Sequence, residues 1–121
     1  MHIGTQLMVI GTGARTYYTP WLPKGADNAV FIYELVQKSL TGSPASTFTV
    51  TGYTKNREDA GSEGTSFSFS NMSGSDFWKT EPTNLKQLVR FKITLTPGTG
   101  VTGPDGVCYR FLPPTWYDKA V

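Results

Sequence analysis

Few residues of this sequence could take part in catalysis or metal binding, and those few are isolated from one another. His2 is the only histidine, and it lacks the partner residues that a metal site or a catalytic triad requires. Cys108 is the only cysteine, so no internal disulfide can form, and a buried structural thiol is its ordinary role. We therefore predict that the protein is not an enzyme and has no catalytic residue, metal site or cofactor.

Two short motifs suggest binding sites but lack the required spacing. The segment 55–64 holds three carboxylates, but they do not follow the EF-hand calcium pattern, and two basic residues in the segment offset their charge. Gly11-Thr12-Gly13 could begin a dinucleotide-binding loop, but Thr16 stands where the third glycine is needed. We expect a solvated loop at 55–64 and no nucleotide site.

Aromatic side chains are better candidates for a functional surface. Three tryptophans lie in Pro- or Gly-rich segments: Trp21, Trp78 and Trp116. For each of them we favour a position that plugs one end of a core over a position at an interface, because tryptophan is mostly buried on average. For three tyrosines we instead favour a position on a contact surface: Tyr17, Tyr18 and Tyr117.

The composition is that of a single globular domain with little net charge. A chain of 121 residues favours one domain over 1–121. Its eleven basic residues are scattered among nine acidic ones without a stripe, which argues against a nucleic-acid partner. No apolar run approaches the ~20 residues of a membrane span, and the start of the chain does not resemble a signal peptide. We expect synthesis in a reducing cytoplasm and no membrane partner.

The clearest structural pattern lies in residues 88–96. Its apolar residues occupy every second position and fall on one side of an extended chain: Val89, Phe91, Ile93 and Leu95. Arg90, Lys92 and two threonines fall on the other side. Strict alternation is typical of a half-buried β-strand, so we predict a strand with the apolar set facing the core.

The start of the chain predicts a strand that is loosely attached. In residues 1–10, Ile3, Leu7 and Val9 share one face of an extended chain. The glycine-rich residues that follow make residues 1–13 a candidate N-terminal arm. Its apolar face suits it to pairing with a partner.

Residues 29–40 are ambiguous between a helix and a strand. Asp27 could cap a helix, but the segment is rich in β-favouring residues and has apolar residues on both faces. We predict a central strand that forms a hairpin with a strand over 47–54. Three further predictions are a short strand around Phe67 and Phe69, a loop over 71–84 anchored by Phe77-Trp78, and a strand over 107–112 paired with 88–96.

Together these elements predict an all-β fold. The segments are short, turn clusters recur about every ten residues, and no helix is predicted. The expected architecture is an antiparallel β-sandwich or a small barrel of six to seven strands.

Three segments carry a family resemblance: Gly52–Asp59, Leu88–Ile93 and Tyr109–Trp116. In layout the chain resembles small β-sandwich virion proteins of tailed bacteriophages, in particular head decoration (cement) proteins. The resemblance implies a protein without catalysis or cofactors, made in the host cytoplasm and located on the capsid exterior. It further implies a homo-oligomer, with a trimer favoured, that bridges neighbouring subunits of the major capsid protein lattice.

Two other functions stay open. One is a carbohydrate-binding module that stacks exposed Trp and Tyr on sugar rings, and the other is a phage tail or head-completion protein. Stiff aromatic loops lose little entropy on docking, so we assign the protein interface to the terminal segments and the Pro-fixed loop. The predicted interface residues are Ile3, Leu7, Tyr17, Tyr18, Trp21, Trp116 and Tyr117.

Overall fold

The computed structural model describes residues 4–101 and 103–118, and every regular element in these ranges is a β-strand. The strands are β1 (Thr5–Ile10), β2 (Arg15–Tyr18), β3 (Leu22–Pro23), β4 (Asn28–Ser39), β5 (Thr47–Lys55), β6 (Thr65–Ser68), β7 (Ser70–Asn71), β8 (Phe77–Thr80), β9 (Leu88–Thr96), β10 (Asp105–Phe111) and β11 (Thr115–Tyr117). These eleven strands exceed the six to seven predicted. The short strands β3, β7 and β11 have only two or three residues each, too few to show an alternating pattern.

The strands form two antiparallel sheets that pack against each other. Sheet 1 has the order β1-β10-β4-β8-β7, and β11 pairs with the beginning of β4. Sheet 2 has the order β2-β9-β5-β6, and β3 pairs with β9 beyond the end of β2. The predicted antiparallel β-sandwich is confirmed.

The core lies between the sheets and is rich in aromatic rings. The four alternating apolar residues of β9 are completely buried, as the pattern predicted. Val107 and Tyr109 of β10 face them from the other sheet, and the rings of Phe91 and Phe111 lie 4.9 Å apart between centroids. Burial raises the pKa of Tyr109 to about 12, with a smaller contribution from the nearby Tyr17.

The predicted partner of β9 is wrong. Strand β10 lies in sheet 1 between β1 and β4, whereas β9 pairs with β5 on one side and with β2 and β3 on the other. The inward faces of β9 and β10 therefore meet across the sandwich and not along a shared sheet. Alternation shows which face of a strand is buried, but two strands that line one core have the same pattern whether they are paired or opposed.

Strand β4 confirms the prediction of a strand over 29–40, but its predicted hairpin with β5 is wrong. Strand β4 pairs with β10, β8 and β11, and β5 pairs with β9 and β6. The connection over 40–46 carries the chain from sheet 1 to sheet 2. A turn cluster between two strands is equally suited to joining them in one sheet or across two sheets.

The chain crosses between the sheets again around Phe69. Strand β6 belongs to sheet 2 and β7 to sheet 1, so the single short strand predicted here is divided. The ring of Phe67 covers Gly52 of β5, where a Cβ atom would lie 2.1 Å from the ring. The predicted loop over 71–84 contains strand β8, which pairs with β4 and places Trp78 in a stack on Tyr33. Trp78 thus packs against the core, as favoured for it.

A buried carboxylate at the start of β10 ties two loops together at one end of the sandwich. Asp105 is 1% exposed and accepts hydrogen bonds from the Thr41 amide at 2.9 Å, from the Thr41 hydroxyl at 2.7 Å and from the Ser46 hydroxyl. The Ser46 hydroxyl oxygen in turn accepts from the Gly98 amide at 3.0 Å. The Ser46 bond is the main cause of the lowered pKa of Asp105, and the two Thr41 bonds add to it.

Strand β1 is a regular part of sheet 1 in the range that the structure describes. All six of its residues pair with β10, and Met8 and Ile10 are buried in the core. Gln6 closes the end of the core by accepting a hydrogen bond of 2.6 Å from the Tyr109 hydroxyl. The part of the candidate arm at Thr5–Ile10 is therefore sheet and core, and residues 1–3 lie outside the described ranges.

Candidate functional site

The outer face of sheet 2 carries a row of stacked cations and aromatic rings. The guanidinium carbon of Arg90 lies 4.6 Å from the ring centroid of Tyr18 and 4.5 Å from that of Trp21. The Lys55 ammonium lies 4.6 Å from the Trp21 ring, and the Lys92 ammonium lies 5.8 Å from the Tyr18 ring. We call these five residues the cation–aromatic ladder. All four distances fall within the range of favourable cation–π contacts.

Strand register explains why the ladder forms. Tyr18 lies opposite Lys92 in the β2–β9 pair, and directly opposed residues of an antiparallel pair share a face. Leu22 lies opposite Val89 and points inward, so the preceding Trp21 falls on the outer face beside Arg90. The register therefore places Arg90 between the positions of the two rings.

Thr19 anchors the segment that carries Tyr18 and Trp21 to strand β9. It is buried where β2 ends, its amide donates to the Phe91 carbonyl at 3.0 Å, and its hydroxyl accepts from the Phe91 amide at 2.9 Å. The Thr19 hydroxyl thus provides a hydrogen-bond acceptor for the Phe91 amide of β9 at the point where β2 has ended and β3 has not begun. Pro20 then restricts the backbone before Trp21.

The charges of the ladder are not neutralised within the part of the chain that the structure describes. The strands of sheet 2 contain four basic residues and no Asp or Glu. The ion pairs found in the described residues lie elsewhere: Lys24–Asp27, Lys38–Asp76, Lys79–Glu81 and Arg110–Glu34. The side chains of Arg90 and Lys92 donate no hydrogen bond to any described residue, and the Arg90 Nε atom is buried without a partner.

Hydroxyl groups surround the ladder on a flat sheet face. Thr94 lies opposite both Thr16 and Thr49, and the hydroxyl oxygens of Thr16 and Thr94 are 3.3 Å apart. Thr51 lies opposite Lys92, and Tyr53 lies opposite Arg90. The face therefore combines fixed positive charge with short hydroxyl side chains, a chemistry that suits the binding of an anionic group.

The outer face of sheet 1 has a different character near its edge. Leu7 is 70% exposed, Val36 50% and Val9 41%, and Cys108 lies opposite Leu7 on the same face. We call these four residues the apolar edge patch. A shallow cavity of about 180 Å³ opens beside it, lined by Leu7, Gln37, Lys38, Ser39, Gly106 and Cys108.

Strand β1 adds an open edge to the apolar edge patch. It pairs with β10 on one side, and none of the other described strands pairs with its second side. A β-bulge at Val36, between the pairs Cys108–Gln37 and Tyr109–Leu35, locally disrupts the neighbouring ladder. An edge strand with exposed apolar side chains and no lysine of its own is poorly protected against association.

The predicted interface residues fall on several different surfaces. Leu7 belongs to the apolar edge patch, and Tyr18 and Trp21 belong to the ladder. The core position favoured for Trp21 is wrong, because its ring stacks with cations on the outer face of sheet 2. Tyr17 is 40% exposed and pairs with the inward-facing Ile93 at the rim of sheet 2. Ile3 lies outside the described residues.

Trp116 and Tyr117 lie on β11, which follows β10 along β4 and pairs with the beginning of that strand. Trp116 pairs with the buried Ala29, and its ring meets that of Phe31 at 5.3 Å in an edge-to-face contact. A Cβ atom on Gly25 would lie 2.7 Å from the Trp116 ring, so the ring also fills the space above this glycine. Trp116 is thus mainly a packing residue, in agreement with the core position favoured for tryptophans, and Tyr117 is half-buried beside it.

The prediction that the basic residues form no stripe is wrong for sheet 2. Lys55, Arg90 and Lys92 come together because Lys55 pairs with Leu88, a residue far from it along the chain. The alternation of β9 correctly placed Arg90 and Lys92 outside, but the sequence has no signal for the pairing that adds Lys55 and Trp21. These cations were missing from the predicted interface.

The described residues contain no group of three His, Cys, Asp or Glu side chains that could hold a metal ion. Cys108 is half-buried on the outer face of sheet 1, and its thiol is not part of a disulfide in the described ranges. No helix in those ranges is long and apolar enough to cross a membrane.

The fold and its surfaces define an antiparallel β-sandwich with a cationic outer face and an apolar outer edge. No protein-family model, curated protein or solved structure matches the chain. Its function is therefore argued from these two surfaces.

Proposed function

We propose that the protein is a non-enzymatic structural component of a virion, a capsid decoration (cement) protein that binds and stabilises a lattice of major capsid protein. The observation that carries the proposal is the presence of two chemically different contact surfaces on opposite faces of one sandwich. The cation–aromatic ladder lies outside sheet 2, and the apolar edge patch lies outside sheet 1. A protein that bridges neighbours in an assembly needs two such surfaces.

The two surfaces are suited to different partners. The apolar edge patch and the open side of β1 favour self-association, because strand addition satisfies the free backbone groups while apolar side chains become buried. The ladder favours a charged partner, here the capsid lattice. In this proposal the protein is a homo-oligomer, with a trimer favoured, on the capsid exterior.

A carbohydrate-binding module is less well supported. Sugar stacking requires exposed aromatic faces, but the Tyr18 and Trp21 rings already stack on the Arg90 guanidinium, and Lys55 also lies over Trp21. A phage tail or head-completion protein would use the same surfaces on another virion component. We favour the capsid lattice because it matches the layout of the three segments that resemble decoration proteins.

Sedimentation of the purified protein, alone and mixed with empty capsids from a panel of tailed bacteriophages, tests the proposal. We expect an oligomer that co-sediments with a capsid and raises the temperature at which that capsid breaks open. Purified tails in a parallel mixture test the tail alternative. A strict monomer that co-sediments with no capsid contradicts the proposal.

A further inference from the structure

We propose that the cation–aromatic ladder is a docking surface for an acidic segment of a partner protein, whose Asp or Glu carboxylates contact Arg90 and Lys92. The inference deepens the proposed function and rests on it only for the identity of the partner, the capsid lattice. The site itself is argued from the charge, geometry and hydrogen bonding of sheet 2.

Arg90 has unused hydrogen-bonding capacity. A guanidinium carries five N–H donors, and its planar fork matches a carboxylate in a bidentate contact. None of the described residues accepts a hydrogen bond from this side chain, and its Nε donor is buried without a partner. Arg110, an arginine on the outer face of sheet 1, instead donates to Glu34 at 2.6 Å. Sheet 1 thus satisfies its arginine internally, whereas the half-buried Arg90 of sheet 2 has no acceptor among the described residues, and its terminal N–H groups, unlike the covered Nε, are left for a partner.

The Arg90 guanidinium is preorganised for binding. Contacts of 4.5 and 4.6 Å with two rings restrict the guanidinium before any partner arrives. Less side-chain entropy is then lost on binding, so each hydrogen bond formed contributes more to affinity. Tyr, Trp and Arg are also the residue types most enriched among interface hot spots, and Tyr53 lies opposite Arg90 on the same face.

The contacts on the Tyr18 and Trp21 rings favour an acidic protein over other anions as the partner. Single-stranded nucleic acid binds largely by stacking bases on aromatic rings, and carbohydrates also use ring faces. Here cations occupy faces of Tyr18 and Trp21, so stacking would displace them. A carboxylate needs only the edge of the guanidinium and the lysine ammonium, and the neighbouring threonine hydroxyls can donate further hydrogen bonds to it.

NMR titration of the isotope-labelled full chain tests the inference. The probe is an acidic octapeptide of alternating Glu and Ser in a buffer of about 20 mM salt, and the reporters are the Trp21 indole N–H and the Arg90 side-chain N–H groups. We expect shifts confined to the outer face of sheet 2, and weaker binding at about 200 mM salt because exposed charges are then screened. Shifts centred on another face would overturn the inference.

Charge-removing variants identify the cations responsible. We expect Arg90→Gln and Lys92→Gln each to weaken peptide binding about 3- to 10-fold, in the range of a strong surface ion pair. Lys79→Gln is the matched control, since Lys79 is a basic residue of sheet 1 and pairs with Glu81. It should leave the affinity unchanged. Thermal melting of each variant confirms folding, and if Arg90→Gln does not fold, the more peripheral Lys92→Gln decides the result.

Two further titrations separate the partner classes. A dT5 oligonucleotide and a tetramer of galacturonate each carry four negative charges, as many as the four Glu side chains of the peptide. We expect both to bind more weakly than the peptide, and equal or tighter binding of either would overturn the assignment to an acidic protein.

The same variants in capsid co-sedimentation keep this inference distinct from the proposed function. Loss of capsid binding in Arg90→Gln, with retention in Lys79→Gln, supports both. Capsid binding that is unaffected by Arg90→Gln and Lys92→Gln overturns the ladder as the docking surface and leaves the proposed function intact. Peptide binding at the ladder without binding to any capsid contradicts the proposed function alone.

Discussion

Thr19 links the core of the sandwich to the ladder on its surface. Its hydroxyl oxygen accepts a hydrogen bond from the Phe91 amide. Phe91 lies on β9 between Arg90 and Lys92, so one buried side chain positions both the strand and its two outward-facing cations. A buried amide that loses its acceptor bears the cost of desolvation without compensation. The position of a surface binding group therefore depends on a core hydrogen bond.

We expect Thr19→Val to lower the free energy of unfolding by about 1–3 kcal/mol, because the Phe91 amide is then buried without an acceptor. Chemical denaturation measures this change. Thr19→Ser keeps the hydroxyl and should lose clearly less stability. If the Val and Ser variants are equally stable, the hydrogen bond does not have the role assigned to it.

Phe91 is the residue on which the core prediction depends most directly. It is completely buried and contacts aromatic rings from both sheets, including Phe31 at 5.2 Å and Phe111 at 4.9 Å between centroids. Phe91→Ala should cost about 3–5 kcal/mol, because a cavity of this size collapses only in part. Thr49→Ala on the exposed face of sheet 2 is the control and should cost under about 1 kcal/mol. Similar values for the two variants, measured in urea, would contradict the assignment of faces.

At the scale of elements, the Asp105 cluster joins the connection between β4 and β5 to the start of β10. Hydrogen bonds from Ser46 and Thr41 stabilise its ionised form, so its pKa in the folded protein lies below the ordinary value of 3.8. The unfolded chain then binds the proton more readily than the folded chain does. The stabilisation is complete above the unfolded pKa and is lost as the pH falls through the folded pKa.

We expect the free energy of unfolding to decrease as the pH is lowered below about 4, with Asp105 contributing to the slope. Asp105→Asn removes this titration, so the variant should be less stable than the parent at pH 7 and should show a shallower loss of stability in acid. Urea denaturation at a series of pH values measures both effects. Asp76→Asn, at an exposed ion pair with Lys38, is the control and should follow the parent closely. An Asp105→Asn profile parallel to that of the parent would exclude a role for this carboxyl group in acid stability.

The strands also show which features of the fold can be predicted from the sequence. Alternation predicted strand β9, its buried face and the strand character of β4, because side-chain direction is a local property of the chain. It could not predict that β10 faces β9 across the core, nor that 65–71 divides between two sheets, because strand pairing depends on contacts between distant segments. For the candidate site, Leu7, Tyr18 and Trp21 are among the predicted interface residues, although Trp21 is half-buried on the outer face and not in the core position favoured for it. The ladder was missed because Lys55 reaches it only through the pairing of β5 with β9.

At the scale of the whole molecule, the two outer faces differ in charge balance. Charged residues on the strands of sheet 1 have partners, such as Arg110 with Glu34 and Lys79 with Glu81. The strands of sheet 2 carry basic residues without acidic ones. The net charge is only +2, but the unpaired positive charge is concentrated on the outer face of sheet 2. This uneven distribution would orient the sandwich as it approaches an acidic partner.

Strand β1 allows a test in which neighbouring positions have opposite roles. Leu7 and Val9 point outward in the apolar edge patch, whereas Met8 is 5% exposed and faces the core. Removing residues 1–10 entirely would also remove the core residues Met8 and Ile10, so loss of association in that deletion would not be informative. Single substitutions at adjacent positions separate assembly from folding.

We expect Leu7→Lys and Val9→Lys to keep the thermal stability of the parent and to shift sedimentation from oligomer to monomer, since an edge lysine opposes strand addition and its charge cannot be buried cheaply. Met8→Lys should instead destabilise the fold itself, because a lysine there enters the core. Thr5→Lys, at an exposed position on the same strand, controls for added charge alone and should retain more self-association than Leu7→Lys. Sedimentation velocity over a range of concentrations, with thermal melting of each variant, distinguishes these outcomes. An oligomer that withstands both Leu7→Lys and Val9→Lys would show that the subunits associate through a surface other than the apolar edge patch.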